Sequence, residues 1–182
     1  MTIPRQRLPV VLAVATLLFA AAHLALEHMS GGVQTHHLLD RPDLPAISNW
    51  FGALILPVLG WLLGARIRRH LAAPTQPGSI RRIGIGFGCA LLYGAALATS
   101  FELDASAVSS GLFFGLFVLA AVLPVHRVES VLGFVVAMTF TFGAVLPTLI
   151  ASVVAAVSFL LRLVFRALVS AVRPSVQRPK AA

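Results

Sequence analysis

Charge is scarce in this chain, and acid most of all: 11% of its 182 residues are charged and only six are Asp or Glu. Soluble domains carry roughly 25% charged and about 45–50% apolar residues, whereas 58% of this chain is hydrophobic and its mean hydropathy is +0.93. That balance excludes an ordinary water-soluble fold. Cysteine is nearly absent. The single one, Cys89, rules out an intrachain disulfide and a thiolate metal cage, and its place in an apolar run reads as packing. A phosphate-cradling glycine loop, a serine nucleophile in an elbow and the HExxH zinc signature are all missing. The formal charge of +8 taken alone suggests a nucleic-acid partner. The basic residues flank apolar runs, however, and form no basic face with interleaved aromatics, so no nucleic acid is expected.

What the chain does have is apolar runs close to the ~20 residues that cross a bilayer as helix. Short polar segments separate them, which describes an all-α, polytopic integral membrane helical bundle and not a barrel of alternating strands. The runs fall at residues 8–29, 47–65, 83–101 and 105–125. Arg5 and Arg7 before the first run imitate a secretory signal cleaved after Ala22, but the run continues through Leu24 to Leu26, so an uncleaved first span is expected. Ser48 or Asn49 is placed to cap the second, with Trp50 as an interfacial anchor. Gly84 with Gly88, Gly86 with Ala90, and Gly111 with Gly115 repeat at the four-residue spacing that lets helices approach closely in lipid.

Basic residues set the orientation. Arg5, Arg7, Arg66, Arg68, Arg69, Arg81, Arg82 and Arg127 border alternate ends of the runs, which the positive-inside rule places in the cytoplasm together with the N-terminus. The stretch 131–161 is long for one crossing and short for two at ~1.5 Å rise per residue. A single helix kinked at Pro147 would leave Arg162, Arg166 and Arg173 outside. A turn near residues 143–147, with spans at 131–145 and 148–165, returns them to the cytoplasm, so six spans are expected, with five as the alternative. Residues 1–173 form one membrane domain, in which Arg162, Arg166 and Arg173 edge an interfacial amphipathic helix; 174–182 are expected to be a disordered cytoplasmic tail.

Histidine and carboxylate cluster in the first outer segment. His23 and Glu27 stand four residues apart, on one face of a helix, and an ionisable pair in a span must face the bundle interior or a wet cavity. Cys89, Tyr93, Ser100 and Asp104 form a second polar stripe ending at the same outer level. Imidazole and carboxylate together ligate borderline divalent ions. The expected ligands are His23, Glu27, His36 and His37 for zinc, iron or copper, with Asp40, Glu102 and Asp104 as the groups that orient a histidine or take a proton from metal-bound water. The structural alternative for His23 and Glu27 is a bonded pair that holds helices together. His70 and His126 read as ordinary companions of the cytoplasmic arginines.

These residues lead to the expectation of a metal-dependent, hydrolase-type enzyme of the inner (cytoplasmic) membrane, with its site on the extracytoplasmic side and a lipid-like substrate. A transporter or channel for a metal ion or small solute uses the same residues as an outer binding site. A noncatalytic subunit or assembly factor is the third reading. Partners are membrane lipids, with a homo-oligomer or a larger membrane complex as the assembly.

Overall fold

The computed structural model of the chain describes residues 4–37, 46–72 and 78–172, with 36, 37, 46 and 172 in backbone only. After a 3-10 turn at Arg5–Arg7 come six α-helices: α1 Leu8–Met29, α2 Gly52–Ala72, α3 Ser79–Glu102, α4 Ser106–Val122, α5 Val128–Phe142 and α6 Val145–Val172. Between α1 and α2 lies a short antiparallel ribbon, β1 Thr35–His37 with β2 Ala46–Ser48, which pairs His36 with Ile47. Helices α1, α2, α3 and α6 are long and apolar enough to cross a membrane. The other two have 17 and 15 residues, about 26 and 23 Å. Shortness costs α5 little. It packs against α3, α6 and α2 and buries Leu132, Phe134, Val135 and Met138, so protein rather than lipid covers it.

Close glycine contacts fix the helix directions. Gly64 lies against Leu8 and Pro9, Gly60 lies against Leu12 and Thr16, and Arg5 Nη1 donates to the Leu71 carbonyl at 3.2 Å, so α1 and α2 run antiparallel. In the α3–α5 pair Gly86 meets Glu129, Gly133 meets Phe87 and Leu91, Gly94 meets Phe134 and Ala137, and the Phe101 and Phe142 rings stand edge to face at 5.0 Å. Those two helices are parallel. Helix α2 opposes α5, with Gly52 beside Ala144 at one end and Arg66 beside Glu129 at the other. One end of the bundle therefore collects the starts of α1, α3 and α5 with the finish of α2, and the opposite end collects Glu27 and Glu102.

The structure corrects the expected boundaries in three places. Residues 46–51 are ribbon and 3-10 turn, so α2 begins at Gly52 and runs through Arg66, Arg68 and Arg69, which the hydropathy pattern assigns to a loop. Arginine permits this because its stem lies along the helix while its head reaches water. Ser48 caps the 3-10 turn, accepting from the Trp50 N–H at 3.4 Å. Helix α6 continues unbroken to Val172, and Arg162 turns back to donate to the Val122 carbonyl at 3.0 Å, so no separate interfacial helix precedes residue 173. Arg173 and the expected tail at 174–182 lie outside the described residues. The turn expected near 143–147 is present: Gly143 adopts φ 66°, ψ −179°, a region essentially reserved for glycine. Pro147 follows in the first turn of α6, where its missing N–H is harmless.

Candidate functional site

Two polar groupings stand at opposite ends of the bundle. In the first, His23 is 5% exposed and faces the interior, its ring edge to face with Phe140 at 5.1 Å. Its Nε2 lies 3.7 Å from Glu27 Oε1, an ion-pair distance but not a hydrogen bond. The carboxylate is engaged elsewhere. Asn49 Nδ2 donates to Glu27 Oε1, and the Gln34 N–H donates to Oε2 at 3.4 Å. The Asn49 N–H in turn donates to the Gln34 carbonyl at 3.1 Å, and the Glu27 carbonyl accepts from Gly32 at 3.1 Å. Asn49 also packs over Gly143, where a Cβ would fall 2.6 Å from Asn49 Cγ. The cluster thus joins the end of α1, the ribbon, the start of α2 and the α5–α6 turn.

The expected metal centre is not assembled by the described residues: no group of three or more His, Cys, Asp and Glu side chains gathers among them. His36 and His37 are placed only as strand positions, and Asp40 lies outside the described residues. Glu102 and Asp104 are exposed at the end of α3, where Asp104 takes φ 52° in the turn to α4. They do not join His23 and Glu27. The reason is geometric, since helical spacing brings His23 to Glu27 while the partners of Glu27 come from backbone and amide donors that a search for ligands passes over.

Loss of the amide donor strands a mostly buried carboxylate. Asn49→Ala is expected to destabilise the fold by about 1.5–3 kcal/mol, the worth of a hydrogen bond to a charged group. Hydrogen exchange should rise at the amides of 32–36 and 46–49, and Asn49→Asp, which sets two carboxylates together, should be worse. Exchange unchanged in both variants would show that the cluster holds nothing.

The second grouping is a cavity of about 440 Å³ between α3, α4, α5 and α6, in the basic half of the bundle. Ile85, Ala90, Leu116, Leu119, Val131 and Val154 make its walls apolar. It exists because α4 stands off from α5, leaning instead on α3 and α6. Tyr93 braces that gap, donating from its hydroxyl to the Leu112 carbonyl at 2.6 Å, with the same hydroxyl set against Gly115, where a Cβ would come 2.6 Å from it. Cys89 and Tyr93, expected to belong to an outer stripe, line this inner cavity. The upper part of the stripe is satisfied within the protein, because Ser109 Oγ donates to Ser100 Oγ at 3.0 Å.

Arg82, Arg127, Glu129 and Ser130 border the cavity at the basic end. Glu129 is 1% exposed, and its Oε2 stands 2.9 Å from Arg66 Nε. Those two atoms are not aligned as a hydrogen bond, so the contact is an ion pair. Sequence reasoning passes over Glu129, yet it carries a signal. It is the one carboxylate beside an otherwise basic end among the described residues, and it opens an apolar helix.

His126 borders the same end. Its Nδ1 is 3.5 Å from Ser158 Oγ, which itself donates to the Leu123 carbonyl at 3.0 Å. Burial, followed by the nearby charges of Arg162, Arg127, Arg66 and Arg166, holds its pKa below the ordinary 6.5. A depressed imidazole pKa means that the unfolded chain binds the proton more tightly. Stability is therefore full above about 6.5 and declines as pH falls through the folded value. Thermal unfolding in detergent from pH 8 to 5 should show that decline, and His126→Gln should flatten it; an unchanged profile would contradict the assignment. No family model, no curated protein and no solved structure matches this chain.

Proposed function

We propose that this chain is a six-crossing protein of the cell's cytoplasmic membrane that takes the apolar tail of a membrane amphiphile into the cavity between α3, α4, α5 and α6. The observation that carries this reading is the cavity: its volume of about 440 Å³ lies within the roughly 300–1,000 Å³ of small-molecule sites, and its mostly apolar walls with charged groups confined to one end match such sites in chemistry. Six crossings are supported by the alternating helix directions. They set Arg5, Arg7, Arg66, Arg82, Arg127 and Arg162 at one end, the cytoplasmic one by the charge rule, and Glu27, Glu102 and Asp104 at the other. The metal-dependent hydrolase and the solute transporter have less support: no group of three or more such ligands gathers among the described residues, and the Glu27 carboxylate is engaged by Asn49 and the Gln34 N–H.

Cys89, the sole cysteine, lies on the cavity wall and permits a test without a destabilising substitution. A phospholipid with a diazirine in its tail, incorporated in vesicles carrying the protein, is expected to crosslink residues 85–93 and 116–125 several-fold more than the lipid-exposed face of α1 around Leu18. Prior alkylation of the folded protein at Cys89 with a bulky maleimide should remove the excess and leave α1 labelling unchanged. Uniform labelling, insensitive to alkylation, would overturn the reading.

A further inference from the structure

Charges at the cavity's end bear on the head group of the amphiphile, provided that its tail occupies the cavity as proposed for the function. Arg82 is in the first turn of α3 and Arg127 is the N-cap of α5. Because those helices run parallel, both arginines reach the same end of the same cavity, beside the hydroxyl-bearing Ser130. Glu129, the single carboxylate there among the described residues, is turned to Arg66 at 2.9 Å. With Arg66, Arg82 and Arg127 against that one carboxylate, the charge at this end is cationic in sum. Guanidinium groups pair with phosphate or carboxylate through parallel N–H donors in a planar fork, and they do so most strongly where water is partly excluded. A choline or ethanolamine head would bring its own cation to two guanidinium groups.

We infer that the cavity selects a membrane lipid with an anionic head group, held by Arg82 and Arg127 while its tail lies against Ile85, Leu119 and Val154. The arrangement fits the membrane surface it would face. The cytoplasmic leaflet carries the anionic lipids, and basic pockets between helices on that side are suited to their head groups. Arg82 and Arg127 then act as specificity determinants, and the apolar wall supplies affinity common to all tails.

The test is competition for the tail-diazirine phosphatidylcholine probe in vesicles of phosphatidylcholine doped with phosphatidate, phosphatidylglycerol or a fatty acid. Cavity crosslinks should be displaced by the anionic lipids at about tenfold lower mole fraction than by added phosphatidylcholine. Phosphatidate set against fatty acid separates phosphate from carboxylate recognition, and either preference supports the proposal. Arg82→Gln with Arg127→Gln should erase the anionic preference while crosslinking of the neutral probe persists. Arg68→Gln with Arg69→Gln, on α2 and outside the cavity, controls for surface potential. An equal effect of that control pair would overturn the proposal, as would equal competition by all lipids with cavity crosslinks intact. If cavity crosslinks are absent altogether, the tail-binding reading fails as well, and the two failures are told apart by the uncompeted probe.

Discussion

Arg66→Met is expected to destabilise the folded bundle by about 3 kcal/mol, and Glu129→Leu by less. Removing the guanidinium leaves the Glu129 carboxylate 1% exposed with no counter-charge at 2.9 Å, the situation that typically costs about 3–5 kcal/mol. The figure sits at the low end of that range because the Arg66 side chain is itself 28% exposed and part of its pairing is screened. The reverse change removes the buried charge along with the ion pair, and Arg66 can turn toward water. Replacing both groups, Arg66→Met with Glu129→Leu, should recover most of the loss, since apolar substitution of a buried pair is often neutral or stabilising. The readout is the unfolding free energy in mixed detergent micelles across this double-mutant cycle, and the coupling between the two sites should be at least about 1 kcal/mol. Additive effects would mean that the pair does not join α2 to α5. Gly86 packs against the same side chain, since a Cβ there would come 3.1 Å from Glu129 Cγ, a contact tight enough to shift it by a few tenths of an ångström.

The outline of the fold is legible in the sequence because membrane helices announce themselves by length and apolarity, and because basic residues mark their ends. Residues 8–29 coincide with α1, and the turn found at Gly143 lies where the length of the 131–161 stretch and the charge rule together place one, near 143–147. The ribbon at 35–37 and 46–48 is not legible, because three-residue strands are too short for alternation to show. Which glycines matter is legible only in part. The four-residue spacing read in α3 and α4 includes Gly84, Gly88 and Gly111, whose missing side chains face open space, beside Gly86 and Gly115, which meet Glu129 and Tyr93; Gly60 and Gly64 in α2 carry the same spacing and touch α1, and Gly133 touches α3. Spacing identifies a stripe of small residues without saying what lies opposite. The histidine-rich segment misleads for a related reason: His23 and Glu27 do share a face, but the partners of Glu27 are an asparagine amide and a backbone N–H. Such neutral donors look ordinary in sequence, and a search for charges or ligands misses them.

Gly133→Ala should destabilise, although alanine in a helix interior is ordinarily better than glycine by about 1 kcal/mol. A Cβ at 133 would run into the Phe87 carbonyl oxygen and lie 3.1 Å from the Leu91 nitrogen, both backbone atoms of α3 that no rotamer change can move aside. The α3–α5 separation must then widen, at an overpacking cost of roughly 1–3 kcal/mol that outweighs the propensity gain. Gly133→Leu should go further and disrupt the bundle. Gly88→Ala is the matched control on the facing helix. Nothing lies within 4 Å of its Cβ position, so the propensity term acts alone and the variant should be neutral or slightly more stable. Opposite signs at two glycines of similar sequence context can come only from what each one faces. The same widening would move Arg127, Ser130 and Phe134 away from Arg82 and Cys89, across the cavity they share. Gly133→Ala should therefore also speed alkylation of Cys89 by a bulky maleimide in vesicles, whereas Gly88→Ala should not. If both variants shift stability in the same direction and leave the thiol unchanged, then α3 and α5 do not touch at this level and the cavity walls are not set by their contact.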